Sequence, residues 1–498
     1  MFHQLIDNLM AGFGTALVPM NLLFGLVGVT LGTAVGVLPG IGPALAISML
    51  MPITFGMDPV SAFIMFGGIY YGAMYGGSTT AILVRMPGEA SSVVTALDGF
   101  QMTRQGRAGA ALATAAIGSF VAGTFATVML MLLAPVLVRV ALGFGPSEYF
   151  ALMVLALTAA IGLSGESRMR GAFAVLLGLA LGTVGIDLQT GQARFTFGVQ
   201  GLLGGVNVVM VTVGLFAVGE VFWFAAGRYP GAGDHARVSE RVRLTREEWR
   251  RSVPAWIRGT LIGFFTGILP GAGATIASFL SYHAERRLSR EPDTFGKGAI
   301  EGVAGPEAAN NASAGGSLVP LLALGIPGSG TTAVLLAAFQ LYGLQPGPLL
   351  FEQASTLTWG LIASLYLSNV LLVVLNLPLI GLWVRLLRVP PPLLFSTVLV
   401  FSTLGIYTVN NSVIDVWIVY ALGVLAFFMR RYRFPVAPTV MAVVIGPLLE
   451  QEFRRALAIS GGDPAVLLSR PISATILFVA GVMAVSPWLL RRARRHAG

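Results

Sequence analysis

Gly36-Val37-Leu38-Pro39-Gly40-Ile41-Gly42-Pro43 stands inside a run that carries no charged residue from Asn8 to Met57. An apolar stretch of about 20 residues spans the hydrocarbon core of a bilayer, so this run holds more than one membrane element. Proline lacks an N–H and clashes with helix continuation, and glycine enters conformations closed to other residues. The cluster therefore breaks a helix at membrane depth. Broken backbone there is tolerated only when buried in protein or facing a wet cavity. Free carbonyls can then coordinate a cation, and the N–H ends of half-helices can hold an anion. Taken alone, one such cluster also reads as a simple kink or a packing hairpin.

The cluster recurs. Gly267-Ile268-Leu269-Pro270-Gly271-Ala272-Gly273 lies 231 residues on, and Gly76-Gly77-Ser78 with Met86-Pro87-Gly88 returns as Gly315-Gly316-Ser317 with Ile326-Pro327-Gly328. Farther along, Pro135, Pro146 and Phe150 match Pro378, Pro390 and Phe395. An ordered set of this kind is the signature of internal duplication. Residues 1–227 read as a first membrane repeat, 228–252 as a cytoplasmic polar linker, 253–470 as a second repeat, and 471–498 as a C-terminal helix with a basic tail.

Composition agrees with lipid as the solvent. Only 11% of the 498 residues are charged, against roughly 25% in soluble domains, and mean hydropathy is +0.80. Further uncharged runs cover 59–84, 108–138, 195–219, 259–282, 308–351 and 353–384. The net charge of +9 does not point to nucleic acid, because the arginines sit in short segments between apolar runs. With no cysteine, disulfides, metal thiolates and a cysteine nucleophile are excluded. His3, His235, His283 and His496 are scattered, with no spacing for a transition metal. The start, MFHQLIDNLM, has no basic n-region, so no cleaved signal peptide is expected.

Charge bias orients the repeats. Residues 56–59 carry no Lys or Arg, while the matching 285–301 carries Arg286, Arg287, Arg290 and Lys297. Arg85, Arg104 and Arg107 face an unbasic 343–355. Arg168 and Arg170 face Asn410-Asn411, and the nearly base-free 187–194 faces Arg430-Arg431-Tyr432-Arg433. The bias flips at each step, as it does when two halves have opposite topology. The expected fold is an all-α polytopic membrane protein of two inverted-topology repeats, with broken helices or re-entrant hairpins and an extra C-terminal helix. The N-terminus is then periplasmic and the C-terminus cytoplasmic.

Uncharged polar density flanks the breaks. Ser78, Thr79 and Thr80 in the first half, and Asn310, Asn311, Ser329, Thr331 and Thr332 in the second, can donate to carboxylate oxygens without burying full charges. They are the candidate substrate-binding residues, although small residues here also suit plain helix contacts. Backbone or side chains of Pro39, Gly40, Gly42, Pro270, Gly271 and Gly273, with Glu307, are the candidate cation site. Glu307 also reads as an interfacial acid. Glu89, Asp98, Arg104 and Arg107 lie between spans and read as structural or partner-facing.

The chain resembles the large membrane subunit of the tripartite tricarboxylate transporters, the TctA-type family. The likeness rests on Leu38 to Pro43, Tyr70 to Leu83, Pro87 to Ser92 and Leu97-Asp98-Gly99. In the second half it rests on Pro270 to Gly273, Phe295 to Gly298, Pro306 to Ala312 and Leu324 to Ala333. Arg85 stands where a neutral polar residue is expected. The resemblance implies a permease of the bacterial inner membrane. A small membrane subunit of about four helices and a periplasmic substrate-binding protein would be its partners. Small di- or tricarboxylates such as citrate would be imported with Na+ or H+ as coupling ion, without cofactor or ATP. No phosphate-binding P-loop motif occurs. A passive channel would instead need a continuous polar pore, and an intramembrane enzyme a nucleophile–base pair or a metal cluster. Neither kind of enzyme site is evident, so the chain is expected not to be an enzyme.

Overall fold

The computed structural model describes the chain except residues 1, 39–40, 163–166, 188, 228–241, 387–388 and 497–498. The first half contains α1 (Phe2–Ala16), α2 (Pro19–Val37), α3 (Pro43–Leu50), α4 (Pro59–Val84), a short 3-10 turn (Ala90–Val93), α5 (Thr95–Arg104), α6 (Ala108–Ala141), α7 (Pro146–Gly162) and α8 (Arg168–Gly182). A small antiparallel pair, β1 (Gly185–Ile186) and β2 (Ala193–Arg194), follows. Then come α9 (Val208–Thr212), a π-helical stretch (Val213–Val218) and α10 (Gly219–Ala225). The second half contains α11 (Arg246–Ile268), α12 (Gly273–Leu288), α13 (Glu301–Leu324), α14 (Gly330–Leu341), α15 (Leu350–Gln353), α16 (Ser355–Asn376), α17 (Ile380–Leu386), α18 (Pro391–Asn410), α19 (Val413–Arg431) and α20 (Ala437–Ile459). The chain closes with α21 (Val466–Ser469) and α22 (Pro471–His496). Among the described residues, six helical segments are long and apolar enough to cross a membrane: Pro19–Val37, Ala108–Ala141, Val208–Ala225, Ser355–Asn376, Pro392–Asn410 and Val413–Arg431. Outer faces such as Leu261 and Phe265 of α11, or Val400 and Leu404 of α18, are exposed and apolar, which suits acyl chains.

Both Pro-Gly clusters separate two helices. Helix α2 stops at Val37 and α3 starts at Pro43; α11 stops at Ile268 and α12 starts at Gly273. Pro39 and Gly40 lie outside the described residues. Gly271 has φ +79° and Gly273 φ +61°, a left-handed conformation that favours glycine.

Lipid tails offer no hydrophobic drive between helices, so close backbone approach through small residues holds them. Gly28, Gly32 and Gly36 of α2 lie against Met65, Ile69 and Ala73 of α4; a Cβ on any of them would fall 2.3–2.5 Å from a backbone oxygen. Gly259, Gly263 and Gly267 of α11 lie in the same way against Gly305, Ala309 and Ser313 of α13, at 2.2–2.4 Å. The same spacing of glycines thus makes the same contact in each half. Helices α4 and α13 are wrapped on all sides, buried from Ser61 to Leu83 and from Gly302 to Ala323. The Tyr70 hydroxyl of α4 pairs with Ser317 Oγ of α13 at 3.0 Å.

Two segments differ from their sequence reading. The stretch from Arg85 to Arg107 is not a plain loop: it folds into the 3-10 turn and α5, where Ser91, Ser92, Thr95 and Asp98 are buried. The C-terminal end of the polar linker is helical. Thr245 and Glu248 form a capping box that opens α11, and Arg107 pairs with Glu248 at 2.9 Å and Arg251 with Glu301 at 2.7 Å.

Candidate functional site

Each half ends its long buried helix in the same way. Helix α4 closes on Arg85 (φ +58°), with Met86 N donating to Thr80 O at 3.3 Å; α13 closes on Gly325 (φ +70°), with Ile326 N donating to Pro320 O at 3.2 Å. The chain then turns through Pro87-Gly88 and Pro327-Gly328 and enters a new helical turn. In the second half that entry is a capping box. Ser329 Oγ accepts from Thr332 N at 3.2 Å, and Ser329 N donates to Thr332 Oγ1 at 2.8 Å. Glu89 holds the corresponding place in the first half. A Cβ on Gly42 would lie 4.0 Å from Glu89 Cγ, and one on Gly273 would lie 4.0 Å from Ser329 Cβ.

These ends converge on a cavity of about 600 Å³. Its walls are Ala44 at the start of α3, Tyr70 and Met74 of α4, Glu89 and Ala90, Gly271 to Ile276, and Ser329 to Thr331. Ala160, Phe216 and the segment from Pro435 to Met441 complete it. Phe216 belongs to the π-helical stretch, a distortion common at functional sites. The first turns of α3, α12 and α14 all reach the lining. Unpaired N–H groups give each such end a partial positive charge, so their convergence favours an anion. No Lys or Arg lines the cavity among the described residues, and Glu89 is its one acid.

The candidate residues of the sequence divide. Gly271, Gly273, Ser329 and Thr331 line the cavity; Thr332 sits behind Ser329 in the capping box, and Gly42 lies beside Glu89. Ser78, Thr79, Thr80, Asn310 and Asn311 are buried in α4 and α13 away from its lining. Ser78 and Thr80 bond back to Tyr75 O and Gly77 O of their own helix. Asn311 donates to Ser119 Oγ at 2.7 Å. Glu307 is fully buried and accepts from Thr95 Oγ1. It is not an interfacial acid facing water. Pro270 is adjacent to the lining but not part of it.

Glu89, read from the sequence as structural or partner-facing, faces the cavity. The signal was present, since Pro87-Gly88-Glu89 repeats Pro327-Gly328-Ser329. Asp98 does play a structural part. Fully buried, it accepts from Tyr282 Oη at 2.8 Å and from the backbone N–H of Gly296, Gly298 and Ala299, tying the first half to the second. Among the described residues, no group of three or more His, Asp or Glu is arranged to hold a metal.

A helical body with apolar outer faces, helix breaks inside it and a cavity at those breaks defines a multi-pass membrane protein. The model of the tripartite tricarboxylate transporter TctA family matches residues 22–441. The chain belongs to that family, and is therefore the membrane transporter component of a tripartite tricarboxylate transport system and not an enzyme. It is similar to an uncharacterized 52.8 kDa protein in the TAR-I ttuC' 3' region of Agrobacterium vitis. The two are 51% identical over 479 residues, 96% of this chain and 95% of that protein. An uncharacterized protein of the TAR-II ttuC' 3' region is 46% identical over 228 residues, 45% of this chain and 94% of that protein. No solved structure matches.

Proposed function

We propose that the chain is the permease of a secondary active importer of small di- or tricarboxylates such as citrate, and that the cavity between the broken helices is its substrate site. The observation that carries this reading is the meeting of three helix N-termini on one cavity without a basic side chain. Partial charges and hydroxyls hold a carboxylate well enough to bind it and weakly enough to let it go. Ser329, Thr331 and the backbone N–H of Gly273 are the donors, since the N–H groups of Gly271 and Ala272 are taken by Gly328 O and Leu269 O.

An ion gradient, Na+ or H+, drives uptake by alternating access, in which one part of the chain carries the site past the rest in the manner of an elevator. The two halves run in opposite directions through the bacterial inner membrane, with the N-terminus periplasmic and the C-terminus cytoplasmic. The flipped loop charges support that arrangement, and the twin glycine contacts support the duplication. A periplasmic binding protein delivers the carboxylate, and a small membrane subunit of about four helices completes the complex.

The test is reconstitution of all three components in vesicles, with labelled citrate uptake read under separate Na+ and pH gradients. Uptake that depends on one gradient is expected, with the double variant Ser329→Ala, Thr331→Ala raising KM at least tenfold. Equilibration without any gradient dependence, or a double variant with unchanged KM, overturns the proposal.

A further inference from the structure

Two carboxylates, one from each half, are placed where the 3-10 turn and α5 pack on α13 beside the cavity. Glu307 of α13 is fully buried. Its Oε1 takes the Thr95 hydroxyl, while its Oε2 is buried with no hydrogen-bond partner. Glu89 lines the cavity with part of its side chain, yet its Oε2 is also sealed from solvent and unpartnered. The hydrogen bond from Thr95 ties Glu307 to the segment that carries Glu89 and Ser92. Among the described residues, neither carboxylate has a Lys, Arg or His partner.

Neutral oxygens surround the pair. Asn310, one turn beyond Glu307, turns its amide toward that carboxylate, but neither amide atom completes a hydrogen bond, and the residue is fully buried. Ser92 Oγ is likewise buried and unpartnered. Gly77 of α4 leaves room for this group: a Cβ there would lie 3.1 Å from Ser92 Oγ and 3.7 Å from Glu89 Cβ. Buried polar groups are nearly always paired, so unpaired ones in a native fold call for an occupant. Two protons would neutralise the carboxylates and give Asn310 Oδ1 a donor, yet would not gather the oxygens of Glu89, Glu307, Asn310 and Ser92 at one point. A cation that takes several oxygen ligands, charged and neutral, occupies all of them together.

We infer that Glu89 and Glu307, with Asn310 and Ser92, hold one hard cation against the wall of the cavity. The site joins the two halves and uses no transition-metal ligand. Its coupling role rests on the carboxylate reading above; the cation site itself does not. An anion in the cavity faces Glu89 and is repelled while that charge is bare. With the cation in place the repulsion is screened, so cation and carboxylate each raise the affinity of the other by the same factor.

The experiment uses the purified full-length chain in lipid nanodiscs without carboxylate. Binding of 22Na+ is read by scintillation proximity, and K+, Mg2+ and Ca2+ are added as competitors and titrated separately by calorimetry. Saturable binding of Na+, or of a divalent ion that displaces it, is expected. E89Q and E307Q should each weaken it at least tenfold. N310A keeps both carboxylates and should weaken binding severalfold, so the question stays answerable if a carboxylate variant fails to fold. Absence of Na+, Mg2+ and Ca2+ binding, proton uptake alone, or E89Q and E307Q binding like the parent overturns the site. Cation binding without citrate uptake removes the carboxylate reading and leaves the site standing. Gradient-driven citrate uptake with no bound cation does the reverse.

Discussion

The two helix hairpins follow one path and carry opposite chemistry at their tips. In the second half Gly325, Ser329 and Thr332 give a relaxed left-handed turn, a closed capping box and a helix of 12 residues. In the first half Arg85, Glu89 and Ser92 give a left-handed arginine, an acid with a sealed free oxygen and a 3-10 turn of four residues. Where backbone geometry is shared, difference in side chains marks a difference in task. The neutral tip closes its own capping box and turns a helix N-terminus to the cavity. The acidic tip leaves groups open for something to fill.

The glycine of each Pro-Gly turn sets the first comparison, with the largest expected effect at Gly88. A Cβ on Gly88 would stand 1.8 Å from Gly36 O, whereas one on Gly328 would stand 2.9 Å from Gly267 O. Gly88→Ala should lower stability by about 3 kcal/mol or more, and Gly328→Ala by about 1 kcal/mol, in the range of overpacked sites. Thermal midpoints of the purified variants measure both; equal losses would mean that the tips are packed alike. Next comes Thr332→Ala, which removes half of the capping box and should cost about 1 kcal/mol. Ser92→Ala takes away a hydroxyl without a partner and should change stability little while weakening cation binding. A loss at Ser92 as large as at Thr332 would show that the first tip is capped after all.

Asp187 gives the contrast to Glu89 outside the spanning helices. Backbone N–H donation from Gln189, followed by Arg454 and the N–H of Thr190, holds its carboxyl at about 2, below its ordinary 3.8. A group depressed in the folded state adds stability above its unfolded value and loses it as pH falls. The thermal midpoint should therefore drop between about pH 4 and pH 2, and Asp187→Asn should flatten that limb and leave citrate uptake at neutral pH unchanged. An acid limb that persists in the variant would move its origin to the buried acids.

Much of this architecture was legible because proline and glycine act through the backbone. The breaks after Val37 and Ile268 follow from residue type alone, and the glycines at spacing four announce close helix contact. Charge scarcity announces the membrane. Side-chain partners were less legible. Ser78 and Thr80 look like free donors in sequence, but a hydroxyl in a buried helix bonds to its own backbone when nothing else is near. Asn311 is taken up by Ser119, a residue of α6 remote in sequence. Glu89 was hidden for another reason: an acid between two apolar runs looks like a loop residue until the chain is seen to fold back into the protein. Setting the repeats against each other would have revealed it, since the position held by Ser329 in one half is held by Glu89 in the other.

Arg85 gives a small effect and the most direct reading of the twin tips. Its φ of +58° is the geometry that Gly325 adopts at +70°, and a non-glycine residue in that region carries roughly 1–2 kcal/mol of strain. Its side chain is exposed. Glycine also gains entropy in the unfolded chain, which offsets part of the relief. Arg85→Gly should therefore stabilise the isolated protein by about 0.5–1 kcal/mol. The reciprocal Gly325→Ala puts a Cβ 2.6 Å from Pro346 O and should destabilise it by about 1–3 kcal/mol. A stabilised Arg85→Gly variant that still transports leaves the arginine with no part in uptake. A stabilised variant that transports poorly gives the side chain a task worth its strain, with the basic group acting on substrate, lipid or the small subunit.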